Sequence, residues 1–148
     1  MPWPTVERGI YMTHKFIIKG IYYGKNRTFP DLNDYIAACN KSPQHGAKMK
    51  RDYQMIASNT IRYQLKRLQI RKPVRIHYTF YEADMRRDFS NVGSFATKVI
   101  EDALQKCGVL KNDNQAWVRG YTHDFEISPN TPRIVVEIEE LEEGIFSE

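Results

Sequence analysis

Cysteine is scarce in this chain. The 148 residues hold two, Cys39 and Cys107, neither in a Cys-x-x-Cys pair, and each falls on the apolar side of a predicted helix. That argues against a disulfide framework and for a reduced, intracellular protein. Histidine is also thin. His14, His45, His77 and His123 are scattered without the spacing of metal ligands, which argues against a zinc site. No run is apolar enough to span a bilayer, and Met1-Pro2-Trp3-Pro4 lacks the pattern of a signal peptide. A cytoplasmic protein with no membrane partner is therefore expected. Internal repeats are absent too.

Charge of one sign is missing from two stretches. Between Lys41 and Arg75 the only acid is Asp52, against ten Lys or Arg, so the segment carries +9, more than the +4 of the whole chain. After Arg133 there is no cation, and six glutamates make the end of the chain acidic. A dense positive segment suits a phosphate backbone, because each neutralised phosphate releases counterions. The plainer reading is a solvated helix face. The acidic end would keep off a polyanion or cover a basic groove. With 41% hydrophobic residues, the length fits one domain with a modest core. Residues 1–14 read as an N-terminal extension, 15–141 as the domain, and 142–148 as an acidic tail.

What is present alternates between two periods. Lys15 to Tyr23 is a strand pattern ending at Gly24-Lys25-Asn26. Asp31 is placed to cap a short helix holding Leu32, Tyr35, Ile36 and Cys39, and 40–46 reads as a loop. From Ala47 to about Leu68 a basic helix is expected, with Met49, Tyr53, Ile56, Thr60 and Tyr63 as its buried stripe. Lys48, Lys50, Arg51, Arg62 and Lys66 supply its charge. Lys72-Pro73 breaks it. A strand follows in which Val74, Ile76, Tyr78 and Phe80 alternate with Arg75, His77, Thr79 and Tyr81. Ala116 to Thr122 and Arg133 to Leu141 are further strands, with a turn at 128–132. The order strand, helix, helix, strand, helix, strand, strand predicts a single α+β domain, a mixed sheet with helices packed against it.

The chemistry concentrates between Arg86 and Asp113. Arg86-Arg87-Asp88-Phe89-Ser90-Asn91 opens a helix pattern in which Val92, Phe95, Ala96, Val99, Ile100, Ala103, Leu104 and Cys107 share one face. Ser94, Thr97, Lys98, Glu101 and Gln105 lie on the other, with Asp102 one turn beyond Lys98. Gly108 supplies a left-handed stop, and 111–114 a polar turn. On local grounds alone, Asp88 is a helix-cap acid and Asp113 a turn acid, since both positions favour Asp.

This stretch resembles the RusA-like Holliday-junction resolvases, small dimeric endonucleases of phage and prophage. Arg87-Asp88 and Asn91 match the family's Asp-x-Asp-Asn block, Lys98 its helix lysine, Asp102-Ala103-Leu104 its Asp-Ala-Leu, Gly108 its turn, and Asp113 the second acid of its Asp-Asp pair. Two family acids are replaced, by Ser90 and by Asn112. The interval from Asn91 to Lys98 is about four residues longer than in short members, close to one turn of ~3.6 residues. The resemblance implies a RusA-like fold, a homodimer and Mg2+-dependent (or Mn2+-dependent) hydrolysis of a phosphodiester at a four-way DNA junction. It implies Asp88 and Asp113 as metal ligands and Lys98 as the catalytic cation; Ser90, standing in for a family acid, would join the metal through a water or its hydroxyl. Arg86 and Arg87 would grip neighbouring phosphates, and Lys48, Lys50, Arg51, Arg62 and Lys66 would bind the DNA backbone. Two other readings stay open: a junction-binding homologue with little cleavage, and a basic nucleic-acid-binding module whose acids are only caps. A helix from Asn91 to Cys107, on the order of 25 Å long, sets Asp88 and Asp113 apart. Either it starts later, near Val92 to Phe95, or a second subunit supplies one acid.

Overall fold

A computed structural model describes residues 12–111, 114 and 116–142 of the chain. Its elements run β1 (Thr13–Lys19), α1 (Leu32–Lys41), α2 (Pro43–Leu65), β2 (Val74–Glu82), α3 (Phe89–Lys106), β3 (Val118–Ile127) and β4 (Arg133–Glu140). This is the order expected from the sequence, and the domain is α+β. The sheet order is β1-β4-β2-β3, antiparallel except for the parallel pair of β2 and β3 that α3 connects.

Alternation along the strands decides which face is covered. Phe16 and Ile18, Ile134, Val136 and Ile138, and Val74, Ile76, Tyr78 and Phe80 are in register and buried, and they form one core with α2 and α3. All three helices therefore lie on one face. From α3 the core takes Val92, Phe95, Ala96, Val99, Ile100, Ala103 and Leu104, the expected stripe, with Cys107 partly buried beside it. Burying each large apolar side chain contributes roughly 1.5–3 kcal/mol. On the opposite face His77 hydrogen-bonds Thr122 and lies 3.2 Å from Asp124, while the Arg133 guanidinium sits 3.7 Å over the Tyr81 ring.

Several boundaries differ from expectation. β1 stops at Lys19, not Tyr23, because Gly20 turns the chain with φ of 135° and Tyr23 pairs back onto Arg27. The segment 40–46 is not a loop. Ser42 ends α1 and also caps α2, its hydroxyl accepting from the His45 N–H, with Pro43 preset for the first turn. Helix α2 ends at Leu65, where Lys66 takes φ of 59°, well before Pro73. Its buried side is Gly46, Tyr53, Ala57, Ser58 and Ile61. Tyr63, expected in that stripe, is 76% exposed. Small Ala57 and Ser58 let α2 approach α3 closely, and the thiol of Cys107 reaches the Ser58 carbonyl at 3.7 Å. Cys39 is exposed rather than on an apolar side, and α1 buries none of its residues. The capping box of α1 is present, Asp31 accepting from the Asp34 N–H and Asp34 from the Asp31 N–H, both at 2.9 Å.

Helix α3 starts at Phe89, so the later start near Val92 to Phe95 is overturned. Thr97 and Glu101, placed on its polar side, are buried, because β3 lies against that side. There the Thr97 hydroxyl meets Nε2 of His123 at 2.9 Å, and the Tyr78 hydroxyl reaches Glu101 at 3.5 Å. Gly108 has the predicted left-handed backbone, φ 79°. β1 begins two residues inside the segment read as an extension. Among the described residues no helix is long and apolar enough to cross a membrane.

Candidate functional site

The end of β2 and the start of α3 form one corner of the molecule. Glu82 continues the inward phase of Val74, Ile76, Tyr78 and Phe80, so an acid is carried to the margin of the core. Arg87 meets it. Its Nε and Nη2 donate to the two carboxylate oxygens at 2.9 and 3.0 Å, and its Nη1 donates to the Phe29 carbonyl at 2.9 Å. Asp34 of α1 lies 3.9 Å away, and the Arg87 side chain is 5% exposed. Arg87 thus ties the strand end to α1 and faces inward, away from any solvent-borne phosphate. Arg86 faces outward. Its N–H donates to Asp84 Oδ1 at 3.0 Å, which turns the chain sharply, and its guanidinium is 82% exposed, 3.8 Å from the same acid.

Asp88 sits at the N-cap of α3 in extended backbone, yet its side chain makes no capping hydrogen bond. The carboxylate is exposed, as is Ser90 in the first turn. The usual local reason for Asp at this position, satisfying a free helix N–H, is not met here. Asp113, the other expected ligand, lies outside the described residues, as does Asn112. Its described neighbours Lys111 and Asn114 belong to the far end of α3, where Lys111 lies over the Trp117 ring and Asn114 accepts from the N–H groups of Trp117 and Val118. Eighteen residues of helix, roughly 27 Å, separate that end from Asp88.

Could these residues hold Mg2+? Among the described residues no group of three or more His, Cys, Asp or Glu is arranged for a metal. Glu82 is held by Arg87 and Asp84 by the Arg86 N–H, so neither stands in readily for the missing acid. Asp88 and Ser90 offer one carboxylate and one hydroxyl. Mg2+ keeps several waters and takes as few as one or two carboxylates when phosphates complete its shell, so the pair fits a substrate-assisted site and falls short of an all-protein one.

From Ser94 onward a groove follows the seam between α2 and α3, which lie side by side and parallel. Gln54 of α2 donates to Asp102 of α3 at 3.2 Å, and Ser58 faces Cys107 further along. Lys98 pairs with Asp102 at 3.4 Å, the one-turn spacing visible in the sequence. Lys50 and Lys98 border one cleft of the groove; Arg51, Arg62 and Lys106 border the next, of about 260 Å3, with Gln54 and Ser58 also in its lining. From Ser94 to Lys106 the helix rises about 18 Å. At ~3.4 Å per phosphate along one strand, that spans about five phosphates. The other two expected cations sit apart: Lys48 pairs with Asp52 at 2.6 Å, and Lys66 lies 5.0 Å over the exposed Tyr63 ring. Lys106 was not singled out from the sequence, although it follows Lys98 and Asp102 at steps of four.

The layer beneath α3 is chemically uniform. Burial, then the Glu101 charge, raises the Tyr78 hydroxyl pKa well above its ordinary value. Burial, then the nearby His77, lowers that of His123. Both groups are therefore neutral near pH 7 and act as scaffold. Across the α1–α2 side, burial pushes Tyr53 up to about 12, and its hydroxyl donates to the Tyr22 carbonyl at 2.7 Å.

No protein-family model matches the chain, and no curated protein matches it.

Proposed function

We propose that the chain is a homodimeric, structure-selective DNA endonuclease that hydrolyses phosphodiester bonds at four-way junctions with Mg2+, Mn2+ being an alternative. The observation that carries this reading is the exposed carboxylate of Asp88, which makes no capping hydrogen bond at the start of α3, the helix whose later turns border the cation-lined clefts. Arg51, Arg62, Lys106 and Lys50 would hold one strand by its phosphates, independently of sequence. Arg86 would hold the phosphate nearest the corner. Lys98, paired with Asp102 and ten residues of helix or about 15 Å from Asp88, would neutralise a phosphate further along the strand rather than the scissile one.

Asp88 and Ser90 would hold the metal, with Asp113, and the metal would supply an activated water and stabilise the leaving oxygen. Lys111 and Asn114 stand at the end of α3 remote from Asp88, which favours assembly of the site from two chains. A two-fold dimer also matches the two-fold symmetry of a four-way junction. The test is Asp88→Asn: junction cleavage should be abolished while junction binding in chelator persists.

A second reading is a junction binder with weak or no cleavage. Ser90 favours it, since a hydroxyl adds no charge to the metal site. Ser90→Asp would then raise cleavage, whereas under the first reading it changes only the metal concentration required.

A further inference from the structure

The groove contains one segment unlike the rest. Between α1, α2 and α3 lies a cleft of about 190 Å3 walled by Leu32, Tyr35, Phe95 and Val99, with Lys50, Lys98 and Ser94 completing its lining. The Tyr35 and Phe95 rings are 5.4 Å apart and tilted by 41°, so together they form a bent aromatic floor. Drug-sized ligands occupy about 300–1,000 Å3. This cleft suits a single planar ring system.

Resting on the junction reading above, we propose that this cleft receives one nucleobase unstacked at the branch point. The chemistry of a nucleotide matches its lining part for part. An apolar, aromatic wall takes the flat face of a base, and lysines on two different helices take the phosphates that flank it. An uncharged apolar side chain entering the same cleft would bring no negative charge to meet Lys50. The position also fits. Ser94 donates its hydroxyl to the Ser90 carbonyl at 2.5 Å, and six residues separate it from Asp88, about 9 Å along the helix. A strand with its scissile phosphate at Asp88 thus reaches the cleft within about three nucleotides. Bases within duplex arms are held by stacking and pairing on both sides. Bases at a branch point are less so, and extruding one costs least there. The cleft would therefore contribute preference for branched over linear DNA, which the sequence-independent phosphate contacts cannot.

The experiment is photocrosslinking in chelator, using four-way junctions with 5-iodouracil at the branch point or within an arm. Iodouracil stacked on an aromatic ring couples to it on irradiation. Crosslinks from the branch-point label should map to the tryptic peptides 28–41 and 88–98, which contain Tyr35 and Phe95. The arm label should give none there. Ser94→Leu, which fills the cleft with an aliphatic side chain from an exposed helix position, should cut the branch-point yield at least about fivefold, in line with the loss of one base–aromatic stack. Thermal unfolding checks that this variant is folded, and Tyr35→Leu, which removes the ring, provides a second route to the same loss.

Equal yields from both labels, crosslinks mapping elsewhere, or an undiminished yield in folded Ser94→Leu would overturn the cleft assignment. If the unaltered chain still binds junctions in that case, the functional reading above survives it. Absence of junction binding would overturn both. Sedimentation without DNA supplies the remaining arm: if Ser94→Leu changes self-association, a second copy covers the cleft and the base does not enter it.

Discussion

Arg87 forks onto both carboxylate oxygens of Glu82 and, with its third nitrogen, holds the Phe29 carbonyl. The pair is almost wholly withdrawn from solvent, so removing one partner strands a buried charge. Arg87→Ala should destabilise the fold by about 3–5 kcal/mol, measured by urea unfolding. Arg86→Ala, one residue earlier and exposed, should leave stability within about 0.5 kcal/mol and weaken DNA binding instead. Equal stability of the two variants would show that the Arg87 fork is not structural.

The groove makes a prediction about salt. Arg51→Ala combined with Arg62→Ala should weaken binding to every DNA sequence alike and reduce the slope of log K against log salt by about two. Lys48→Ala should do less, because Lys48 is already paired with Asp52. A slope unchanged in the double variant would remove the groove from the DNA path.

His123 gives the fold an acid-sensitive point. Its native pKa lies below the value it has unfolded, so the unfolded chain binds the proton more readily. The stability it supports is complete above about pH 6.5, the unfolded value. It declines as pH falls from there through the native value. His123→Gln keeps a polar partner for Thr97 and cannot titrate. Urea unfolding between pH 7.5 and 5.5 should therefore show a shallower loss for the variant; identical slopes would show that His123 is not the sensor.

The same ring explains Gly93. A Cβ there would stand 2.8 Å from Cε1 and Nδ1 of His123, which is itself held by Thr97. Gly93→Ala should cost about 1–3 kcal/mol through overpacking, despite the gain in helix propensity that Ala brings elsewhere. A variant as stable as the parent would mean that the ring moves freely.

These residues also show where sequence reading succeeds and stops. The apolar face of α3 was legible because steps of three and four over four turns leave no other face to bury. Ion pairing of Lys98 with Asp102 followed from the same period. The inward turn of Arg87 did not, since adjacent arginines look alike in one dimension; the available signal was Glu82, in phase with the buried residues of β2 and in need of a cation. Burial of Thr97 and Glu101 depends on where β3 lies, which no local pattern encodes. Tyr63 misled because two stripes share Tyr53, and the one through Ala57 and Ile61 permits the closer approach to α3. For the site, the family resemblance and not residue type or spacing singled out Asp88 and Lys98 as candidates, whereas the groove needed the parallel packing of α2 and α3.

On the endonuclease reading, Asp88 and the groove that Lys98 borders cut a branched DNA substrate with a divalent metal. The most direct test is to incubate the full chain with a labelled four-way junction and, separately, a linear duplex of the same sequence, each with Mg2+, with Mn2+ and with chelator. Paired nicks in the junction alone, present with either metal and absent in chelator, are the predicted result. An intact junction with both metals, at protein concentrations that bind it fully, would contradict the endonuclease reading and leave a junction-binding protein.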